Sequence, residues 1–298
     1  GGKTSAPASS VKAPAAQAVT TEPAPTEAAP TAPMEVHTMA AAELDFDEDA
    51  FFWGQERYMR KDVKTLTFQS SMQNVPNSAW DVSEAGDRSV LAWMDSGDLY
   101  VAADGAIAPN SNASWLFQGF VNLKTINFGN CFVTSSVTRM SGMFEGCSSL
   151  TVLDLSCFET SAVTDMYGVF SICGSLTSLD LTSFDTSSVT DMGSMFDDCM
   201  SLPHLNLTSF DTSKVTDMAF MFSGCNSLTR LDLSNFDTSN VTNMLWMFGL
   251  CYDLTSLNLS SFDASAVTKM DNIFTRCDVL TDLNCSDARI LKEYSNRR

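Results

Sequence analysis

Six cysteines, Cys147, Cys173, Cys199, Cys225, Cys251 and Cys277, stand at a constant step of 26 residues. Apolar columns keep the same step: Leu150 to Leu280, Leu153 to Leu283, Val137 to Val267, Met140 to Met270 and Phe144 to Phe274. A fixed period of roughly 20–50 residues marks an array of one supersecondary unit. A single unit cannot bury its apolar face alone, so each unit must pack on its neighbours.

Within a unit the apolar period changes. Leu-Asp-Leu alternates with period two, as a short strand with one buried face does. Met192, Met195, Phe196 and Cys199 then fall at i, i+3, i+4 and i+7, one face of a helix. Thr190 is placed to cap that helix, and Asp191 puts negative charge in its first turn. Phe-Asp-Thr-Ser between them is turn-forming. The expected fold is an α/β solenoid whose repeat is strand, turn, short helix and return.

The wording L-x-x-L-x-L, followed by S-x-F-D-T-S-x-V-T-x-M-x-x-M-F-x-x-C, resembles the BspA-like leucine-rich-repeat surface proteins of bacteria. The resemblance covers residues 115–287 and extends upstream through Ala79–Asp87 and Asp104–Pro109. It implies a leucine-rich-repeat solenoid, a bacterial cell-surface or extracellular location, and a role in adhesion or recognition. It brings no catalytic residues.

The regions outside the array differ in chemistry. Residues 1–50 hold an Ala/Pro/Thr/Ser-rich stretch and are expected to form a disordered linker, a stalk between an anchor and a folded head. Gly-Gly-Lys-Thr-Ser resembles the small, polar residues just after the lipidated cysteine of a bacterial lipoprotein, so a lipid anchor is an expectation that the precursor would settle. Residues 51–114 read as a β-rich N-terminal cap, with strands at Val63–Phe68, Ser89–Met94 and Leu99–Ala102. Trp80, Trp93 and Trp115 supply bulk to cover the first repeat. The array itself spans 115–287, and 288–298 is a C-terminal cap or tail.

Composition excludes some functions. A net charge of −19 leaves no basic stripe to neutralise phosphates, which argues against nucleic acid. No apolar run is long enough to span a membrane. The two histidines, His37 and His204, lie far apart, and no Gly-rich phosphate loop, H-E-x-x-H or G-x-S-x-G is present. No enzyme activity and no cofactor are expected.

The cysteine ladder sits in the apolar stripe and is expected to be buried, acting as a small hydrophobe. Cys131 and Cys157 share a different column, otherwise filled by Ser183, Ser209, Asn235 and Ser261, which is expected to be exposed. Adjacent rungs bring their Cα atoms within disulfide range, although parallel, in-register side chains oppose a bridge. Stacked carboxylates at Glu159, Asp185, Asp211, Asp237 and Asp263, and at Asp165, Asp191 and Asp217, invite a calcium reading. The preferred account is that they form turns and begin helices.

Binding residues are expected where the array varies. On the concave face these are Val152, Ser178, His204, Arg230 and Ser256, beside the Asx column Asp154, Asp180, Asn206, Asp232 and Asn258. Tyr167, Phe220 and Trp246 interrupt small columns on the helix side and are candidate aromatic anchors. The function expected is recognition of an extracellular protein or glycan, a host molecule included. The alternative is a structural spacer or self-associating surface component without a discrete ligand.

Overall fold

The computed structural model describes residues 34–45 and 47–297, so most of the expected linker, and the lipoprotein-like start, lie outside the described residues. Two ladders of backbone hydrogen bonds run along the stack at the sequence step. In the first, short parallel strands pair in register: β8 (Val152–Leu153) with β9 (Ser178–Leu179), and β10 (Arg230–Asp232) with β11 (Ser256–Leu259) and β12 (Asp282–Cys285). In the second, bridges link Arg139, Asp165, Asp191, Asp217, Asn243 and Lys269, each to the next, 26 residues on.

The first ladder is interrupted at one rung, and Pro203 explains it. Thr177, Thr255 and Thr281 each donate a backbone N–H to the threonine carbonyl one rung earlier. Pro203 occupies the same column and has no N–H to give. Among the described residues, Leu205 and its neighbours accordingly form no strand, and the sheet is split in two.

The short helix expected in each repeat is not formed. Met192, Ser194, Phe196 and Asp198 each donate a backbone N–H to the next rung, at Asp217, Ala219, Met221 and Ser223. The intervening Met195, Asp197 and Cys199 close turns onto residues three earlier. Left-handed residues at Ser194 (φ 53°) and Asp198 (φ 56°) make this alternation possible and forbid a continuous helix. The burial pattern matches the expectation, with Met192, Met195, Phe196 and Cys199 all fully buried. Thr190 does not cap a helix either. Its hydroxyl donates to the carbonyl of Thr164 one rung earlier, at 3.1 Å.

The core is a series of side-chain stacks. Phe144, Phe170, Phe196, Phe222, Phe248 and Phe274 lie ring over ring, with successive centroids 5.6–5.8 Å apart. Each ladder cysteine is buried beside them, and its Sγ–H reaches the Phe carbonyl of the preceding rung. Cys199 donates to Phe170 at 3.1 Å and Cys277 to Phe248 at 2.9 Å. Burial pushes the Cys147 thiol up to about 12 and raises those of Cys173, Cys199 and Cys225 well above the ordinary thiol value.

The N-terminal cap starts earlier than the sequence suggested. Strand β1 (Val36–Thr38) pairs parallel with β6 (Ala106–Ala108), and Met39 is buried, so residues 34–45 belong to the folded unit. Strands β2 (Thr65–Gln69), β3 (Trp80–Asp81), β4 (Leu91–Asp95), β5 (Asp98–Ala102) and β7 (Thr125–Asn127) form one sheet in the order β3-β4-β5-β2-β7. The β4–β5 hairpin turns at Ser96 and Gly97, both at positive φ, as a two-residue turn requires. Phe52 and Trp53 cover the first rung by packing edge-on against Phe120 and Phe117. Trp93, expected in that covering role, instead stacks on Tyr100 on the sheet's outer face.

At the other end, α1 (Ala288–Asn296) closes the stack. Asp287 caps it, accepting from the N–H groups of Arg289 and Ile290, and its other oxygen accepts from Ala264 N–H at 2.9 Å. Arg289 donates to the carbonyls of Ala264 and Val267 in the last rung. Ile290 is fully buried, and Tyr294 packs edge-on against Phe274.

Candidate recognition surface

Strand alternation decides what faces solvent. Leu153, Leu231 and Leu257 point into the core, so the residues on either side of each point out. Two rows result. The first is Val152, Ser178, His204, Arg230, Ser256 and Asp282; the second is Asp154, Asp180, Asn206, Asp232, Asn258 and Asn284. Within each row the side chains stand in neighbouring rungs, about 4.8 Å apart. All ten expected strand-side residues lie on this one surface, eight of them exposed and Ser256 and Asn258 half-buried. The C-terminal part forms an open trough of about 800 Å³ lined by both rows from His204 to Asn284.

The Asx row is organised by two kinds of bond. Asp154, Asp180 and Asp232 accept the backbone N–H two residues on, at 3.0 Å each. Those bonds hold their carboxyls below the ordinary range. Asn258 Nδ2 donates to Asp232 Oδ1, and Asn284 Nδ2 to Asn258 Oδ1, both at 2.9 Å. Two amides following Asp232 thus form a hydrogen-bonded chain where further carboxylates would repel one another. In the other row Ser256 donates to Asp282 at 2.7 Å. Arg230 enters none of the ion pairs found among the described residues.

Sequence reasoning missed the aromatic end of this surface. Tyr100 lies between buried Leu99 and Val101 and pairs with Thr67, which pairs with Asn127. Trp93 stacks on Tyr100 with centroids 5.2 Å apart and planes 13° from parallel. The alternation Leu-Tyr-Val was the available signal; the apolar bulk of tryptophan outweighed it.

On the other side of the core, Tyr167 is exposed and lies over Gly193, where an added Cβ would sit 3.1 Å from its ring. Phe220 and Trp246 are half-buried and stack with centroids 6.4 Å apart. The structure therefore joins two of the three candidate anchors and leaves Tyr167 two rungs away.

The acidic columns are spent on turns. Asp185, Asp211, Asp237 and Asp263 each accept the N–H two residues on at 2.8–3.0 Å. Asp191 and Asp217 do the same within the second ladder, rather than opening helices. No group of three or more metal-ligating side chains comes together among the described residues. Cys131 and Cys157 are free thiols. Cys131 is buried, not exposed, and its Sγ reaches the Phe128 carbonyl of its own rung at 3.7 Å, whereas Ser209 and Ser261 of the same column turn their hydroxyls onto the preceding rung.

The family described as "Mycoplasma protein of unknown function, DUF285" matches residues 111–206 and 198–294. The chain belongs to this family. The two matched DUF285 segments together take in both ladders and most of α1. No curated protein matches. Among solved structures, a leucine-rich-repeat protein of T. pallidum is 18% identical with a TM-score of 0.40, covering 71% of this DUF285 chain and 94% of its own. A leucine-rich cell surface protein of Faecalibacterium prausnitzii A2-165 is 16% identical with a TM-score of 0.33, covering 83% of this chain and 53% of its own. No helix among the described residues is long and apolar enough to cross a membrane.

Proposed function

We propose that the chain is a non-catalytic recognition scaffold of the bacterial cell surface or extracellular space. On this reading it is a leucine-rich-repeat solenoid of the BspA-like kind, and its strand-side rows bind a protein or glycan. One observation carries the reading. Strand register keeps the 26-residue step wherever the strands pair, while the outward row changes from Val152 through Ser178, His204 and Arg230 to Asp282. A spacer has no use for that variation, whereas a recognition surface does.

An unbiased array of extracellular proteins and glycans, probed with the wild type and with Arg230→Ala/Asp232→Ala, tests it. The expected result is at least one ligand whose affinity falls about tenfold or more in the variant, equivalent to roughly 1.4 kcal/mol. No ligand on the array, together with concentration-dependent filaments in light scattering, would favour the spacer.

A further inference from the structure

The outward side of the second ladder carries five apolar side chains in two neighbouring rungs: Phe220 in one, and Leu245, Trp246, Leu250 and Tyr252 in the next. Three of them occupy the left-handed region, at φ 58° for Phe220, 56° for Trp246 and 62° for Leu250. A side chain with a Cβ is disfavoured there, and glycine or asparagine is the unstrained choice. Several sister rungs make that choice: Gly142, Gly168 and Asn272 stand in the column of Phe220 and Trp246, beside Ser194, and Gly146 and Gly224 stand in that of Leu250, beside Ile172, Asp198 and Arg276.

Core packing does not account for the exceptions. Rungs with glycine in these columns bury the same Met, Phe and Cys set. Tyr252 is 40% exposed, and Phe220, Leu245, Trp246 and Leu250 are each only half-buried. Strained backbone carrying half-exposed apolar groups, where relaxed alternatives already exist in the same array, is a cost to stability that folding alone does not explain.

We infer that this patch is a docking surface for a cationic polypeptide segment bearing an apolar anchor residue. The rim selects the occupant. Asp271 lies beside Trp246, its carbonyl accepting the Trp246 N–H at 3.1 Å, and Asp253 is next in the chain after Tyr252. Asp217 precedes Phe220, and Asp198 abuts Gly224. Arg276 reaches over Tyr252 at 5.7 Å, but Asp278 pairs with it at 3.4 Å. A second copy, also at −19, or an anionic lipid surface would meet like charge. The site is separate from the strand-side rows and stands whether or not they bind anything.

The test uses the full chain and two sets of short synthetic peptides. Both carry a single Trp or Leu anchor, flanked by Lys/Arg in one set and Asp/Glu in the other. Phosphatidylserine vesicles serve as a third probe. The wild type is expected to retain members of the basic set, more weakly as salt rises, and neither other probe. Phe220→Asn/Trp246→Asn copies what the Asn272 rung already does. It should lose at least tenfold in peptide affinity while its Tm stays level or rises by about 2–4 °C. Arg230→Ala/Asp232→Ala should bind the peptides as the wild type does. The inference is overturned if the wild type binds no basic peptide, if acidic peptides or vesicles bind as well, or if the Asn variant binds undiminished. A fall in its Tm of several degrees would make the aromatics structural and overturn it equally.

Discussion

Thr186 is fully buried, and its hydroxyl is engaged twice: it donates to the Asp211 carbonyl at 2.9 Å and accepts the Asp211 N–H at 2.8 Å. Thr134, Thr160, Thr212 and Thr238 repeat the arrangement. Ala264 ends the column where no following rung needs the hydroxyl. Thr186→Val keeps the shape but leaves two backbone groups of Asp211 without partners, so about 2 kcal/mol of stability should be lost in denaturant melts. Sequence alone named these threonines as turn formers; their cross-rung role depends on a burial that a polar residue type does not advertise. Carboxylates supply the second prediction at this scale. Burial holds Asp197 up at about 6 and also raises Asp191 and Glu145. From about pH 4 to 6 the folded chain therefore binds more protons than the unfolded one, and stability falls as pH rises through that window. Turn hydrogen bonds lower Asp185, Asp211, Asp237 and Asp263, whose contribution is present above the ordinary carboxylate range and lost as pH falls below it. Thermal melts should peak near pH 4–5, and Asp197→Asn should flatten the decline on the alkaline side.

Among the elements, the strand ladder was legible because Leu-Asp-Leu states both its period and its buried face. The second ladder was not. Met192, Met195, Phe196 and Cys199 do share a buried side, so the helical spacing described the burial correctly and the backbone wrongly. The discriminating signal was glycine recurring at two columns, Gly142 with Gly168 and Gly146 with Gly224, where positive φ is required. The split in the strand ladder makes a prediction of its own. Pro203→Thr restores the residue used in the neighbouring rungs and gives Thr177 a backbone partner. The N–H introduced at position 203 should donate to the Thr177 carbonyl and be protected in hydrogen exchange, with a gain near 1 kcal/mol, less the entropy that proline removed from the unfolded chain. The C-terminal helix offers a further test. Arg289→Ala deletes two bonds to carbonyls of the last rung, so exchange should quicken across Ala264–Leu280 and α1 by roughly tenfold while the rungs around Phe170 stay protected.

For the molecule as a whole, the question is how far one lesion travels. Each rung touches only its neighbours, so stability is a sum of weak units and strong interfaces, and cooperativity rests on the interfaces. Phe196 sits mid-stack, 5.8 Å from the Phe170 ring and 5.6 Å from that of Phe222, and is fully buried. Phe196→Ala should cost about 3–5 kcal/mol, because the flanking rings are held by their own ladders and cannot close the gap. The rung after it contains Pro203, where the strand ladder is already broken, so two weak interfaces would coincide. The block from about residue 204 to α1 should then melt first, leaving the N-terminal cap and the rungs before Phe196 folded. Two transitions in a denaturant melt, with the tryptophan signal of Trp246 lost in the first and that of Trp53 in the second, would be the signature. A single transition shifted to lower denaturant would mean that the second ladder, which runs unbroken from Arg139 to Lys269, couples the whole stack strongly enough to override the break.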